Sequence, residues 1–100
     1  MTHEKLQRLF YKHADEYLGF DKIVDPPSNR PDLCAFLYID KLQPGTCNLI
    51  EESANSEYYF NLDLRKLKLT ENDAIYLSRC GVRYDWNSGK LIMLTKERDK

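Results

Sequence analysis

Val82-Arg83-Tyr84-Asp85-Trp86-Asn87-Ser88-Gly89-Lys90-Leu91-Ile92-Met93-Leu94 is the stretch on which the fold class turns. Two runs of strand-forming residues flank Asn87-Ser88-Gly89, and Gly89 can take the left-handed conformation that a three-residue hairpin loop requires. The spacing predicts a hairpin of Val82–Trp86 with Leu91–Leu94. Its second strand is apolar at four successive positions, so it lies centrally in a sheet or meets another surface with its second face. Tyr84 and Trp86 alternate with Arg83 and Asp85, which predicts that the two aromatic rings point inward.

Upstream of the hairpin, Thr70-Glu71-Asn72-Asp73 has the form of a capping box with Asp in place of Glu. It predicts a short helix to about Cys80, stopped by Gly81, with Val82 folding back onto Leu77. Before it, Tyr58, Phe60, Leu62 and Leu64 alternate with Tyr59, Asn61, Asp63 and Arg65, the period of a half-buried strand. That alternation slips at Arg65-Lys66, as a bulge or a single turn would make it do. Asn48–Ser53 reads as a shorter strand, joined to the next through a turn at Ala54-Asn55-Ser56.

The first half is helical. Leu6, Leu9, Phe10, His13, Ala14 and Tyr17 make one apolar stripe of a helix from Glu4 to Leu18. Thr2 is its expected N-cap, and Gly19 its expected C′ residue, with Phe20 returning toward Ala14. Asp25-Pro26-Pro27-Ser28-Asn29-Arg30-Pro31 then breaks regular structure and predicts a surface loop. Residues 32–43 admit either a helix between Pro31 and Pro44-Gly45 or a buried strand through Leu33–Ile39. A dozen residues exceed the usual strand of roughly 5–6, which favours the helix.

The expected order is therefore α-α-β-β-α-β-β. This is a single α+β domain over residues 1–100, its antiparallel sheet packed on one face by helices and residues 95–100 forming a frayed tail.

Composition narrows the function classes. Of 100 residues, 42% are hydrophobic, too many for a disordered chain. The longest apolar run, Leu33–Ile39, falls far short of the roughly 20 residues that cross a bilayer. No apolar segment of a signal peptide follows Met1, and a cytoplasmic home is expected. Cys34, Cys47 and Cys80 are odd in number and lack paired spacing, so free thiols in a reducing compartment are expected rather than disulfides or zinc.

Catalytic groups are sparse. The four glycines, at 19, 45, 81 and 89, are too dispersed for a phosphate cradle. His3 and His13 are too far apart on one helix to share a metal, and His13 with Glu16 offers only two ligands. Cys47 sits in a loop without a visible base. Asp63 and Asp85 would make an acid–base pair only if their strands were neighbours. No cofactor and no metal are expected, and no catalytic residue is assigned.

Fifteen basic residues stand against 16 acidic ones, for a net charge of -1, which lowers the case for general nucleic-acid binding. A local patch of Arg65, Lys66, Lys68, Arg79 and Arg83 keeps that case open, with Tyr59, Tyr84 and Trp86 as rings on which bases could stack. Seven tyrosines, four phenylalanines and one tryptophan exceed what so small a core can bury. Surplus tyrosine favours protein contacts, with Tyr11, Tyr38 and Tyr59 as the candidate surface aromatics.

The expectation is a non-enzymatic binding module that works through protein–protein contacts as an inhibitor, adaptor or accessory protein, a second copy of the chain being among the possible partners. Its contact regions are the strand near Tyr59 and the terminal hairpin. A nucleic-acid-associated factor using the basic patch is the first alternative. A small-ligand protein or an enzyme using carboxylates is the second.

Overall fold

The computed structural model describes residues 1–52 and 57–94. In chain order its regular elements are helix α1 (His3–Lys12), helix α2 (Pro31–Leu42), strand β1 (Ile50–Glu52), strand β2 (Glu57–Phe60), helix α3 (Glu71–Cys80), strand β3 (Arg83–Asp85) and strand β4 (Lys90–Leu94). The strands form one antiparallel sheet in the order β1-β2-β4-β3. This is the α+β order expected from the sequence, with the apolar Leu91–Leu94 run internal to the sheet. The turn expected at 54–56 and the tail at 95–100 lie outside the described residues.

Local chemistry explains most element ends. Thr2 caps α1 by accepting from the Lys5 N–H, and Thr70 with Asp73 closes a full capping box on α3. At the other end of α3 the Val82 N–H donates to the Leu77 carbonyl and the Gly81 N–H to Ser78, both at 2.9 Å. Gly81 takes φ 102° there, so the helix stops as a Schellman turn. Pro31 opens α2 at its first position, where its missing N–H costs nothing. The helix reading of 32–43 is correct and the strand reading is not.

Three expectations need correction. The first helix ends at Lys12 instead of Leu18, continuing only as single 3-10 turns at Ala14–Glu16 and Phe20–Lys22. Tertiary bonds override the apolar stripe here. Leu18 donates its N–H to the Ser78 carbonyl at 3.0 Å, and the Arg79 guanidinium bonds Glu16 at 2.9 Å. To reach Ser78, Leu18 itself adopts φ 65°, so Leu18 and not Gly19 is the left-handed residue.

The strand expected over 58–64 stops at Phe60. Beyond it the buried Gln43 side chain takes over the pairing. Its Oε1 accepts from the Asp63 N–H and its Nε2 donates to the Asp63 carbonyl, each at 2.8 Å. A turn closed by Lys66 N–H to Asp63 O then produces the register slip and buries Leu67 and Leu69.

The hairpin loop has four residues, Trp86–Gly89, between the paired Asp85 and Lys90. Trp86 therefore leaves the strand and is 72% exposed, against the inward position expected of it. Tyr84 does pack on the core.

The helices cover one face of the sheet. Phe36 of α2 meets Tyr58 and Phe60 edge-on, with ring centroids 4.8 and 6.1 Å away. Leu91 and Met93 of β4 join Leu6, Phe10, Ile39, Ala74 and Leu77 in the same core. By alternation the outer face carries Glu57 and Tyr59 of β2, Arg83 and Asp85 of β3, and Lys90 and Ile92 of β4. Ile92 is only 1% exposed on that face, flanked in register by Tyr59 and Arg83. Arg83 reaches across β4 to Glu57 at 3.5 Å, and Lys90 lies 5.7 Å from the Tyr59 ring centre.

Candidate functional site

Helix α1 runs beside β3 in the opposite sense. At one end His3 rests against Gly89 of the hairpin loop and its Nδ1 lies 3.5 Å from the Tyr84 hydroxyl. At the other, the residues after α1 meet the end of α3. Between them lies a cleft of about 350 Å³, walled by Gln7, Phe10, Tyr11, Ala14 and Tyr17 on one side. Ser78, Val82, Arg83, Tyr84 and Trp86 form the other. Gln7, Phe10, Tyr11 and Ala14 follow the i, i+3, i+4, i+7 spacing of one helical face, continued past the helix end by Ala14.

Five of the ten lining residues are aromatic, and none is a carboxylate, a histidine or a cysteine. Two of the rings, Tyr11 at 82% and Trp86 at 72%, are among the most exposed large hydrophobic side chains of the described residues. Exposed rings flanking a concave apolar site are the form of a recognition surface, since they can bury large area at little entropic cost. Acid–base or nucleophilic chemistry would need a base beside a donor, and these walls offer none.

The sequence-predicted site residues fare differently. Tyr11 lies in the cleft wall. Tyr38 is not the exposed aromatic expected: its ring stacks on Tyr76 at 4.4 Å and its hydroxyl donates to Asp73. Packing of α2 against α3 claims it, and burial first, then the Asp73 bond, raises its pKa well above the ordinary tyrosine value. Tyr59 is half-buried on the outer face of the sheet, away from the cleft.

The basic residues do not assemble as a free patch. Arg79 is bonded to Glu16, Arg65 to Asp63 at 3.2 Å, and Arg83 is paired with Glu57. The Arg79 hydrogen bond holds the Glu16 carboxyl below its ordinary range, and the Arg65 side-chain bond does the same for Asp63. Lys66 and Lys68 stay exposed near Arg65, but β3 with Arg83 stands at the far edge of the sheet from β1.

Asp63 and Asp85 do not converge, because β4 separates the strands on which they were expected and Asp63 falls in the turn after β2. His13 lies against Glu71, with its Nε2 3.5 Å from the carboxylate and without a hydrogen bond. Among the described residues no group of three or more His, Cys, Asp or Glu side chains is placed to hold a metal ion. Cys34 and Cys80 are buried and Cys47 is exposed, all three as free thiols. No helix of the described residues is long and apolar enough to cross a membrane.

The feature that sequence reading missed is Trp86. Its neighbours Asn87-Ser88-Gly89 are turn formers, and a loop one residue longer moves Trp86 off the strand. Comparison with protein-family models, with curated proteins and with solved structures finds no match.

Proposed function

We propose that this protein is a non-enzymatic binding module whose protein partner seats in the cleft between α1 and β3. The observation that carries this reading is the pair of exposed rings, Tyr11 and Trp86, flanking a concave site with three further aromatic rings and no catalytic group. Interface energy concentrates in such anchors: Trp and Tyr are enriched among residues whose truncation costs about 2 kcal/mol or more of binding. Leu18 adds to the case. Its left-handed backbone sits next to Tyr17 of the cleft wall, and strained residues cluster at working sites.

Trp86 is the single tryptophan of the chain, so its fluorescence reports on the cleft alone. The test places a photo-crosslinking amino acid at position 11, 59 or 86 in cells. Protein adducts at 11 and 86 but not at 59, together with a shifted Trp86 emission on titration of the captured partner, support the proposal. Adducts at 59 alone, or adducts to nucleic acid, overturn it. A native mass spectrum of the captured species separates a second copy of the chain from an unrelated protein.

A further inference from the structure

We propose that Cys34 and Cys80 form a redox pair, whose closure to a disulfide staples α2 to α3 and releases residues 24–29 of the proline-rich loop from the fold. A small-molecule disulfide of the glutathione class is the oxidant. Neither cysteine lines the cleft, so the pair is independent of the binding reading above.

Helix register brings the two thiols together. The Tyr38 hydroxyl donates to Asp73 and the Tyr38 ring stacks on Tyr76, so α2 and α3 meet at these residues. Cys34 stands one turn before Tyr38 on α2, and Cys80 one turn after Tyr76 on α3. The two helices run in opposite senses, and Cys34 is close enough to interact with both Tyr76 and Cys80. Both thiols are buried, at 0% and 2% exposure. The backbones of α2 and α3 approach to within 8 Å between Cα atoms. A disulfide spans roughly 4.4–6.8 Å between Cα atoms, so closure tightens the seam at this turn.

The loop supplies the second observation. Cys34 Sγ donates to the Ser28 carbonyl at 3.2 Å. Among the described residues, this is the one hydrogen bond that ties residues 24–29 to a helix or strand; the other in this segment joins Ser28 Oγ to the Arg30 N–H. Most of these residues are exposed, and Asp25 holds φ 50°. A disulfide sulfur carries no hydrogen to donate, so oxidation removes the tether. The Cys34 N–H still holds the Arg30 carbonyl at 3.1 Å, which keeps the end of the freed segment in place.

The exchange balances with no further reagent. With the loop lifted, the Cys34 thiolate attacks one sulfur of the small disulfide. A mixed disulfide forms, and the expelled small thiolate takes up the Cys34 proton. The Cys80 thiolate then attacks the Cys34 sulfur, and the second small thiol leaves with the Cys80 proton. The cysteine pair loses two electrons and the small disulfide gains them. Burial pushes the Cys80 thiol up to about 12, so its thiolate is scarce and the second step is the slower one at neutral pH.

The test incubates the whole chain carrying Cys47→Ser, which removes the exposed thiol, with oxidised glutathione and maps the product by mass spectrometry. Expected are a peptide pair joined through Cys34 and Cys80 and a melting temperature raised by about 8 °C or more. Cleavage within residues 24–29 by a broad-specificity protease should quicken about tenfold, as the loss of one tethering bond implies. Dithiothreitol should reverse all three. Adding Cys34→Ser keeps a donor for Ser28 and should abolish the response to oxidant.

Thiols that stay free until urea unfolds the chain, or a product that stops at glutathione on Cys34, would overturn the pairing. A Cys34–Cys80 disulfide with unchanged cleavage of residues 24–29 would overturn the release of the loop.

Discussion

The hydroxyl of Tyr38 on α2 donates to Oδ1 of Asp73, while Oδ2 of the same carboxylate accepts the Thr70 N–H at 2.9 Å at the start of α3. One side chain thus caps a helix and ties it to its neighbour. Tyr38→Phe is expected to lower stability by about 1.5–3 kcal/mol, the usual range for a hydrogen bond to a charged group. Asp73→Ala removes the cap as well and should cost more. Urea unfolding of both single variants and the double variant measures the coupling. An unchanged midpoint for Tyr38→Phe would show that the bond contributes nothing.

Leu18 holds a left-handed backbone that costs an L residue about 1–2 kcal/mol. Its side chain is largely exposed, so little packing is lost on removal. Leu18→Gly should leave stability unchanged or raise it by up to about 1 kcal/mol, the backbone entropy of glycine offsetting part of the relief. A loss of more than that, read by thermal unfolding, would mean that the contact of Leu18 with Gly81 outweighs the strain.

Alkaline pH should unfold the protein in a defined window. Burial pushes Tyr76 and Cys80 up to about 12 from ordinary values of 10.0 and 9.0, and Tyr38 is raised still further. The unfolded chain releases these protons first, so stability is full below about 9 and falls as pH rises through the shifted values. Unfolding midpoints followed from neutral pH to about 12 should decline from there. Tyr38→Phe should make the decline shallower above 10, and an equal slope in that variant removes Tyr38 from the account.

Tyr59 and Trp86 should separate stability from binding. Tyr59→Ala uncovers Ile92 and is expected to cost about 1–3 kcal/mol of stability while leaving partner affinity near wild type. Trp86→Ala should do the reverse, with stability within about 0.5 kcal/mol and binding weakened at least tenfold. Calorimetry on the two variants decides the matter. A loss of affinity in Tyr59→Ala alone would place the contact on the outer face of the sheet instead.

The elements with strong local chemistry were legible in the sequence. The capping box at Thr70–Asp73, the Gly81 stop and the apolar run of β4 each follow from a few adjacent residues, and together they define the α+β order. The failures have a common cause, which is long-range bonding that local pattern does not carry. α1 stops early because Ser78 and Arg79 bond Leu18 and Glu16 from α3. β2 stops early because Gln43 substitutes for a strand beside Asp63. Tyr38 looked free because Asp73 stands 35 residues away. Of the cleft, Tyr11 and the hairpin were visible in advance. Trp86 was not, since one extra loop residue reversed its orientation.

The strand order β1-β2-β4-β3 also dictates a sequence of events in folding. β3 and β4 can pair as a local hairpin, and α3 with its own cap precedes them directly. β2 and β4 come together only after the whole of α3 and β3 has been laid down between them, a closure of some 30 residues. During synthesis the inner edge of β2, with Tyr58 and Phe60 uncovered, must wait for a strand that ends at Leu94. That interval is when this chain is most exposed to pairing with the wrong neighbour, and Glu51, Glu52 and Glu57 place negative charge on the two strands that wait.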